Sequence, residues 1–413
     1  MDIYNSTNGS NWSNRSGWSG SGLNINNNLD GIETATIGGE TRVTRVDLWE
    51  NNLNGSLPSS IGDLDEVTYL NTKGNYLTGR IPTSIGNMAS LKTLILAGRN
   101  YELGPYLKEP PQNLDYAYHP GKYNSSTNRF SGTIPASFGN LSNLLFLEIS
   151  DQPDITGPIP SSLGNLSNLK GIYLNQLDFE GYSLPSSFGN LTELRHFYFS
   201  SSNLSGQLPA SLENLTKLTY FQVVATKTFG KGLTGSIPDL SNYTNLRTIY
   251  FNKNELSGEY PSYLNNGNFT KLHILGFAWN NLTGTLHGFN NMPAIEVVEL
   301  VGNELSGSIG SQLLQLSERT QIVSLGWNNF SGGLPFHGYP DFFQLKTLYF
   351  SDNQLTGAIP CDFWNKIDNP KLGITWLGNN EFNSNCTSAM NNVEGNDGSS
   401  GNALQISVGG NNF

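Results

Sequence analysis

The stretch VTRVDLWENNLNGSLPSSIGDLDE (Val43–Glu66) is followed without a gap by VTYLNTKGNYLTGRIPTSIGNMAS (Val67–Ser90). LRHFYFSSSNLSGQLPASLENLTK (Leu194–Lys217) repeats the pattern further along, and each copy is 24 residues long. Further copies open at Leu91, Leu144, Leu169, Leu218, Leu246, Leu272, Ile295, Thr320, Leu345 and, incompletely, Leu372. A fixed period of this size marks an array of coils, each of which buries its apolar face only against its neighbours. With one insertion set aside, residues 43 to 371 hold twelve full coils of roughly 25 residues each.

Each motif position has a physical task. The segment L-x-x-L-x-L alternates inward apolar and outward variable residues, as a short strand does. Stacking the coils pairs these strands into a parallel sheet. The Asn three places on (Asn51, Asn75, Asn254, Asn280, Asn303, Asn328, Asn353) is expected to turn inward and satisfy backbone groups of the bend and of the next coil. The Gly that follows (Gly55, Gly79, Gly132, Gly206, Gly235, Gly258, Gly284) permits a turn that a β-carbon disfavours. An Ile/Leu-Pro pair such as Leu57-Pro58 or Ile81-Pro82 then fixes φ and starts the outer segment.

This pattern resembles the plant-type leucine-rich repeat family, found in receptor ectodomains and polygalacturonase-inhibiting proteins, with similar repeats in microbial and protist surface proteins. The resemblance covers about residues 1 to 386. It implies an α/β solenoid: a right-handed, curved superhelix with a parallel β-sheet on its concave side. Residues 1–42 read as the N-terminal cap, with Trp12 and Trp18 covering the first coil. Residues 43–386 form the solenoid of about 13 coils, and 387–413 a Gly/Asn/Ser-rich tail or linker. Plant members usually carry a cysteine pair in the cap; its absence here tilts the reading towards a microbial or protist relative.

Composition narrows the function. Charged residues make up 13% of the chain, below the usual quarter, and 46 glycines help fill the difference, as in a turn-rich surface protein. A net charge of -11 with no Lys/Arg run argues against nucleic acid as a partner. No apolar run approaches the ~20 residues a membrane-spanning helix needs, so membrane attachment is expected only through a downstream segment. His119, His196, His273, His287 and His337 are scattered, with no nucleophile motif and no paired metal ligands. The expectation is a non-enzyme without cofactor or metal.

Cys361 and Cys386 are the two cysteines; a disulfide stapling the last coil is preferred over two free thiols, and supports secretion or cell-surface display. Sixteen N-x-S/T sequons occur, with Asn140, Asn165, Asn190, Asn214, Asn242 and Asn268 as candidate N-glycosylation acceptors on the outer segments. The consensus G-N-L-S/T generates such sequons by itself, so occupancy stays open. An insertion near 99–127 carries Tyr101, Tyr106, Tyr116 and Tyr118, with Tyr123 just after. It reads either as a ligand-contacting island or as a tolerated surface loop. ALQISV near the end is either the first strand of a further domain or a strand capping the last coil.

The outward strand positions are not dictated by the fold, so they carry the functional signal. Tyr173, Tyr198, Tyr250, Tyr349 and Trp376 recur at one of them, and Trp279 and Trp327 share a second column two coils apart. Phe146, Tyr69 and Tyr220 add to this face. Aromatic rows of this kind suit a glycan or a protein ligand; the competing reading is rings that merely stack across strands. The expected function is therefore an extracellular recognition or adhesion module. The alternative is a self-associating building block of a matrix, filament or coat.

Overall fold

The computed structural model describes residues 2–18, 29–98, 127–225, 232–341, 344–363, 374–384 and 405–407. The chain divides into two compact units, Met1–Ser205 and Gly206–Phe413. Both are stacks of leucine-rich coils built on one plan.

In the first unit the parallel strands are Tyr69–Asn71, Thr93–Ile95, Phe146–Glu148, Gly171–Tyr173 and His196–Ser200, laid beside Glu40–Asp47. Arg45, Tyr69, Thr93, Phe146, Gly171 and His196 fall opposite one another from strand to strand. Thr93 pairs with Phe146 despite the insertion between them, so the insertion leaves the register unchanged. In the second unit the strands are Tyr220–Val224, Thr248–Tyr250, Ile274–Gly276, Val297–Glu299, Ile322–Ser324, Thr347–Tyr349 and Ile374–Trp376. Gln405–Ser407 pairs in parallel with Ile374–Trp376, which favours the capping reading of ALQISV.

The inward column of each strand is fully buried: Leu70, Leu94, Leu147, Ile172 and Phe197 in one unit, Phe221, Ile249, Leu275, Val298 and Val323 in the other. The Asn column supplies the hydrogen bonds that a coil of changing direction leaves open. Asn75 Nδ2 donates to Leu48 O and Thr72 O, each at 2.8 Å, and its Oδ1 accepts from the amides of Asn51 and Leu53. Asn254, Asn280, Asn303, Asn328, Asn353 and Asn380 repeat the arrangement. The bonds run to the asparagine's own bend and to the preceding coil, whereas the next coil was expected. Asn128, Gln152 and Ser202 fill the same column where the sequence pattern breaks.

Two features exceed the sequence reading. The x-L-x-G segment is in many coils not only a turn: short strands such as Asn54–Gly55, Tyr76–Arg80 and Arg129–Ser131 pair in a narrow parallel sheet of their own, one of three such sheets among the described residues. The outer segments are 3-10 helices, including Ser59–Asp63, Thr83–Asn87, Ala136–Asn140, Ser161–Asn165 and Ser186–Asn190. They stack closely through a Gly against a Ser of the next coil. A β-carbon on Gly86 would lie 2.4 Å from Ser137 O, while Ser137 Oγ donates to Thr83 O at 2.6 Å.

At the N-terminus, Asp2–Ser6 is a short helix, and Tyr4, Trp12 and Trp18 pack ring on ring. Trp12 and Trp18 are buried, as a cap requires. An antiparallel hairpin, Ile32–Ile37 with Glu40–Asp47, follows. It carries the edge of the stack across the expected boundary at residue 42, because the same strand both closes the hairpin and opens the first coil.

Candidate functional site

The anticipated aromatic face separates into two different surfaces. In the first unit, Tyr173 and Tyr198 are each 2% exposed, so the expectation that they stand open on the sheet is corrected. Their rings stack at 4.8 Å and 11°, with Phe146 at 4.9 Å on the other side of Tyr173. Such cross-strand stacking stabilises a sheet and leaves no ring face open. Tyr173 Oη lies 2.9 Å from Nδ1 of buried His196. Burial, helped by Arg195, lowers that imidazole to about 4. The polar residues of this face are also tied down. Lys73 Nζ meets Glu148 Oε1 at 2.9 Å, and the Arg45 guanidinium lies 3.4 Å over the Tyr69 ring.

In the second unit the tryptophans are open. Trp279 is 37% and Trp327 53% exposed, and their ring centroids lie 6.4 Å apart at 46°. Both occupy the place just before the ladder asparagine, where the chain turns through the left-handed region: φ is 57° at Trp279 and 51° at Trp327. Neighbouring coils place Lys253, Gly302, Asp352 and Asn379 there. Gly and Asn tolerate this conformation; a bulky ring does so at a cost.

The floor beneath the rings is cut to receive them. A β-carbon on Gly302 would come 2.5 Å from Trp279 Cε3, one on Gly326 2.1 Å from Tyr349 Cε1, and one on Gly276 2.4 Å from Tyr250 Cδ2. Three glycines in outward columns thus let three aromatic rings lie low across an adjacent coil: Trp279 and Tyr250 across the following one, Tyr349 across the preceding one. Trp327 Nε1 donates to Tyr349 Oη at 2.7 Å. Glu299 Oε2 accepts from Tyr250 Oη and from Asn252 Nδ2, both at 2.8 Å, which fixes a carboxylate beside the shelf. Glu299, Asn252 and the glycines were not singled out from sequence. The pairing of Gly in one coil with an aromatic in the adjacent one was the available signal. Trp376 stands opposite Tyr349 in the strand register, and its side chain lies outside the described residues.

Other anticipated positions stay apart from this shelf. Tyr101, Tyr106, Tyr116 and Tyr118 of the insertion lie outside the described residues, as does Cys386, the expected partner of Cys361. Of the candidate glycosylation acceptors, Asn140, Asn165, Asn190, Asn214 and Asn242 are exposed. Asn268 is half-buried and donates to Ser241 O at 2.7 Å. Among the described residues, no group of three or more His, Cys, Asp or Glu converges as metal ligands would, and no helix is long and apolar enough to cross a membrane.

Comparison with known proteins places this geometry in context. The Leucine Rich Repeat family profile matches residues 42–64, 193–215 and 344–366. The Receptor-like kinase TMK2 of Arabidopsis thaliana is 30% identical over 211 residues, which is 38% of this chain and 23% of that protein. Receptor-like protein 41 of the same plant is 34% identical over 142 residues, 33% of this chain and 15% of that protein. Among solved structures, the leucine-rich repeat ectodomain of the Arabidopsis receptor kinase HAESA, in complex with an N-terminally extended IDA peptide hormone, superimposes with a TM-score of 0.65 at 28% identity. That match covers 89% of this chain and 57% of the ectodomain. The chain therefore spans only part of each of these proteins.

Proposed function

From the premise that this chain is a leucine-rich repeat protein of the plant type, we propose that it is an extracellular recognition module, secreted or cell-surface, whose ligand lies on the Trp279–Trp327–Tyr349 shelf. The observation that carries this reading is the exposed tryptophan pair held at positive φ. The left-handed turn recurs in other coils with Glu50, Lys253 and Asp352 in place, so what sets this pair apart is two neighbouring indoles left exposed there. The relatives support the extracellular setting, being receptor-like proteins and a solved receptor ectodomain. That ectodomain is named for its complex with a peptide hormone, so a peptide joins a glycan as the ligand to test.

The test compares the wild type with a Trp279→Asn/Trp327→Asn variant on a glycan array and against a displayed random-peptide library. Asn suits the left-handed turn, so the variant keeps its fold. Probes captured by the wild type and lost by the variant support the shelf. Equal capture by both proteins sinks it.

One observation favours self-association as a second reading. Among the described residues, Ile32–Ile37 pairs with a neighbour on only one side, and five of its six residues are exposed. An unpaired strand edge is a template for a second chain. A concentration-independent monomer in light scattering would remove this reading.

A further inference from the structure

Resting on the shelf as the ligand site, we infer that its ligand is a single, uncharged polysaccharide chain rather than a peptide or a polyuronate. Three observations converge on this chemistry.

The first concerns hydrogen bonds. A peptide brought onto the shelf must leave water with one N–H and one C=O per residue, and each needs a partner. The main-chain donors along the shelf are already used between coils. Trp279 N donates to Val301 O, Gly302 N to Gly326 O, Asn303 N to Trp327 O, and Trp327 N to Ser351 O. This ladder therefore offers a peptide no strand addition, and a peptide would have to be held through side chains alone. A pyranose makes a different demand. It lays its C–H face on the negative face of an aromatic ring and keeps its hydroxyls at the rim, where water or one fixed acceptor satisfies them.

The second observation is that such an acceptor is present. Glu299 belongs to the coil between the two tryptophans, and both of its hydrogen bonds fall on Oε2. Oε1 of the half-buried carboxylate is thereby left to accept from a ligand hydroxyl, with Tyr250 and Asn252 fixing its orientation.

The third concerns charge and shape. Glu299 belongs to the coil between the tryptophans, Asp352 and Lys253 occupy the tryptophans' own turn position in neighbouring coils, and the chain as a whole carries -11. This field repels a polyanion. The indoles are inclined at 46° to each other, which presents a turned platform, suited to a single soluble chain and not to the flat face of a crystalline fibre.

Affinity electrophoresis through gels containing soluble neutral polysaccharides (a mixed-linkage β-glucan, a xyloglucan and a galactomannan) tests this directly. The expected result is retardation of the wild type by at least one of them, persisting in about 0.5 M NaCl because no ion pair is involved. Trp279→Asn/Trp327→Asn should weaken it by about tenfold or more, and Glu299→Gln by several-fold. Failure of all three polymers to retard the protein overturns the inference. Salt-sensitive retardation by polygalacturonate instead also overturns it. A peptide captured from a random library by the wild type, and lost with the double variant, refutes the sugar while keeping the shelf. Retardation that both proteins show equally refutes the shelf itself.

Discussion

At the scale of single residues, the left-handed tryptophans make a prediction in which stability and binding move in opposite directions. An L-residue in this region costs about 1–2 kcal/mol, and Asn is among those that tolerate it best. Replacing Trp327 by Asn removes that cost, but also removes a half-exposed ring, its contact with Trp279 and its bond to Tyr349. Contacts of such an open ring are worth roughly 0.5 kcal/mol, so relief of strain should win. We expect Trp327→Asn to raise unfolding stability by about 0.5–1 kcal/mol in urea titration while ligand capture falls. A loss of stability would mean that the ring is held for packing. His196 gives a second prediction at this scale. Burial beside Arg195 lowers it to about 4 from an ordinary 6.5. Above 6.5 the imidazole is neutral in both states and its environment is fully tolerated. As pH falls from 6.5 towards 4, the unfolded chain takes up a proton that the folded chain refuses, so stability is lost through that window. The loss approaches ~3 kcal/mol. Thr stands at the equivalent place in Thr93, Thr248 and Thr347, so His196→Thr should fold and lose less stability between pH 7 and pH 4.5. Parallel pH profiles for the two proteins would exclude His196 as their cause.

At the scale of the coil, the asparagine ladder was legible in the sequence because its residue type is invariant in most repeats and its spacing from the strand is fixed. Asn128, Gln152 and Ser202 were not legible, since the insertion hides the first and a different side chain performs the task in the others. The narrow sheets escaped for another reason: their strands are only two to five residues long, as in Asn54–Gly55 and Tyr76–Arg80, and their glycines read as turns. The aromatic columns were legible as columns, yet alternation cannot say whether an outward ring stays open. Tyr173 and Tyr198 are buried while Trp279 and Trp327 are exposed. The ladder can be tested at Asn328, whose Nδ2 donates to Leu300 O at 3.0 Å and Leu325 O at 3.1 Å, and whose Oδ1 accepts from Leu305 N at 3.0 Å. Asn328→Ala leaves a buried N–H and buried carbonyls unpaired, at a cost of about 3 kcal/mol. The Leu305 amide should then exchange with solvent much faster than in the wild type. Unchanged exchange there would mean that water replaces the side chain. The outer face is as demanding at Gly86, where a β-carbon would meet Ser137 O at 2.4 Å. Gly86→Ala should therefore destabilise by about 1–3 kcal/mol through forced separation of adjacent 3-10 helices, read as a lower urea midpoint.

At the scale of the whole molecule, the sequence reads as one array from 43 to 386, and the chain divides into two compact units, Met1–Ser205 and Gly206–Phe413. The 24-residue period of Leu194–Lys217 runs through that division without a break. An array of this kind is held by nearest-neighbour interfaces, and its stability is close to a sum over coils. Damage should therefore stay local. Asn75 lies in the first unit and is fully buried, with its side chain bonded to Leu48, Thr72, Asn51 and Leu53. Asn75→Ala should lower amide protection at Asn51, Leu53 and the adjoining coils. The amides of Leu305 and Phe330, which rest on Asn328 and Asn353 in the second unit, should keep theirs. Chemical unfolding of this variant, followed by hydrogen exchange, should show the first unit losing protection at lower denaturant than in the wild type, with the second unit unmoved. A uniform fall in protection across both units would contradict nearest-neighbour behaviour and require the whole chain to unfold as one cooperative body. The same locality bears on recognition. If the first unit can be loosened by Asn75→Ala while the Trp279–Trp327 shelf retains its ligand, then the second unit alone carries the binding geometry. Loss of capture in that variant would contradict a binding geometry carried by the second unit alone.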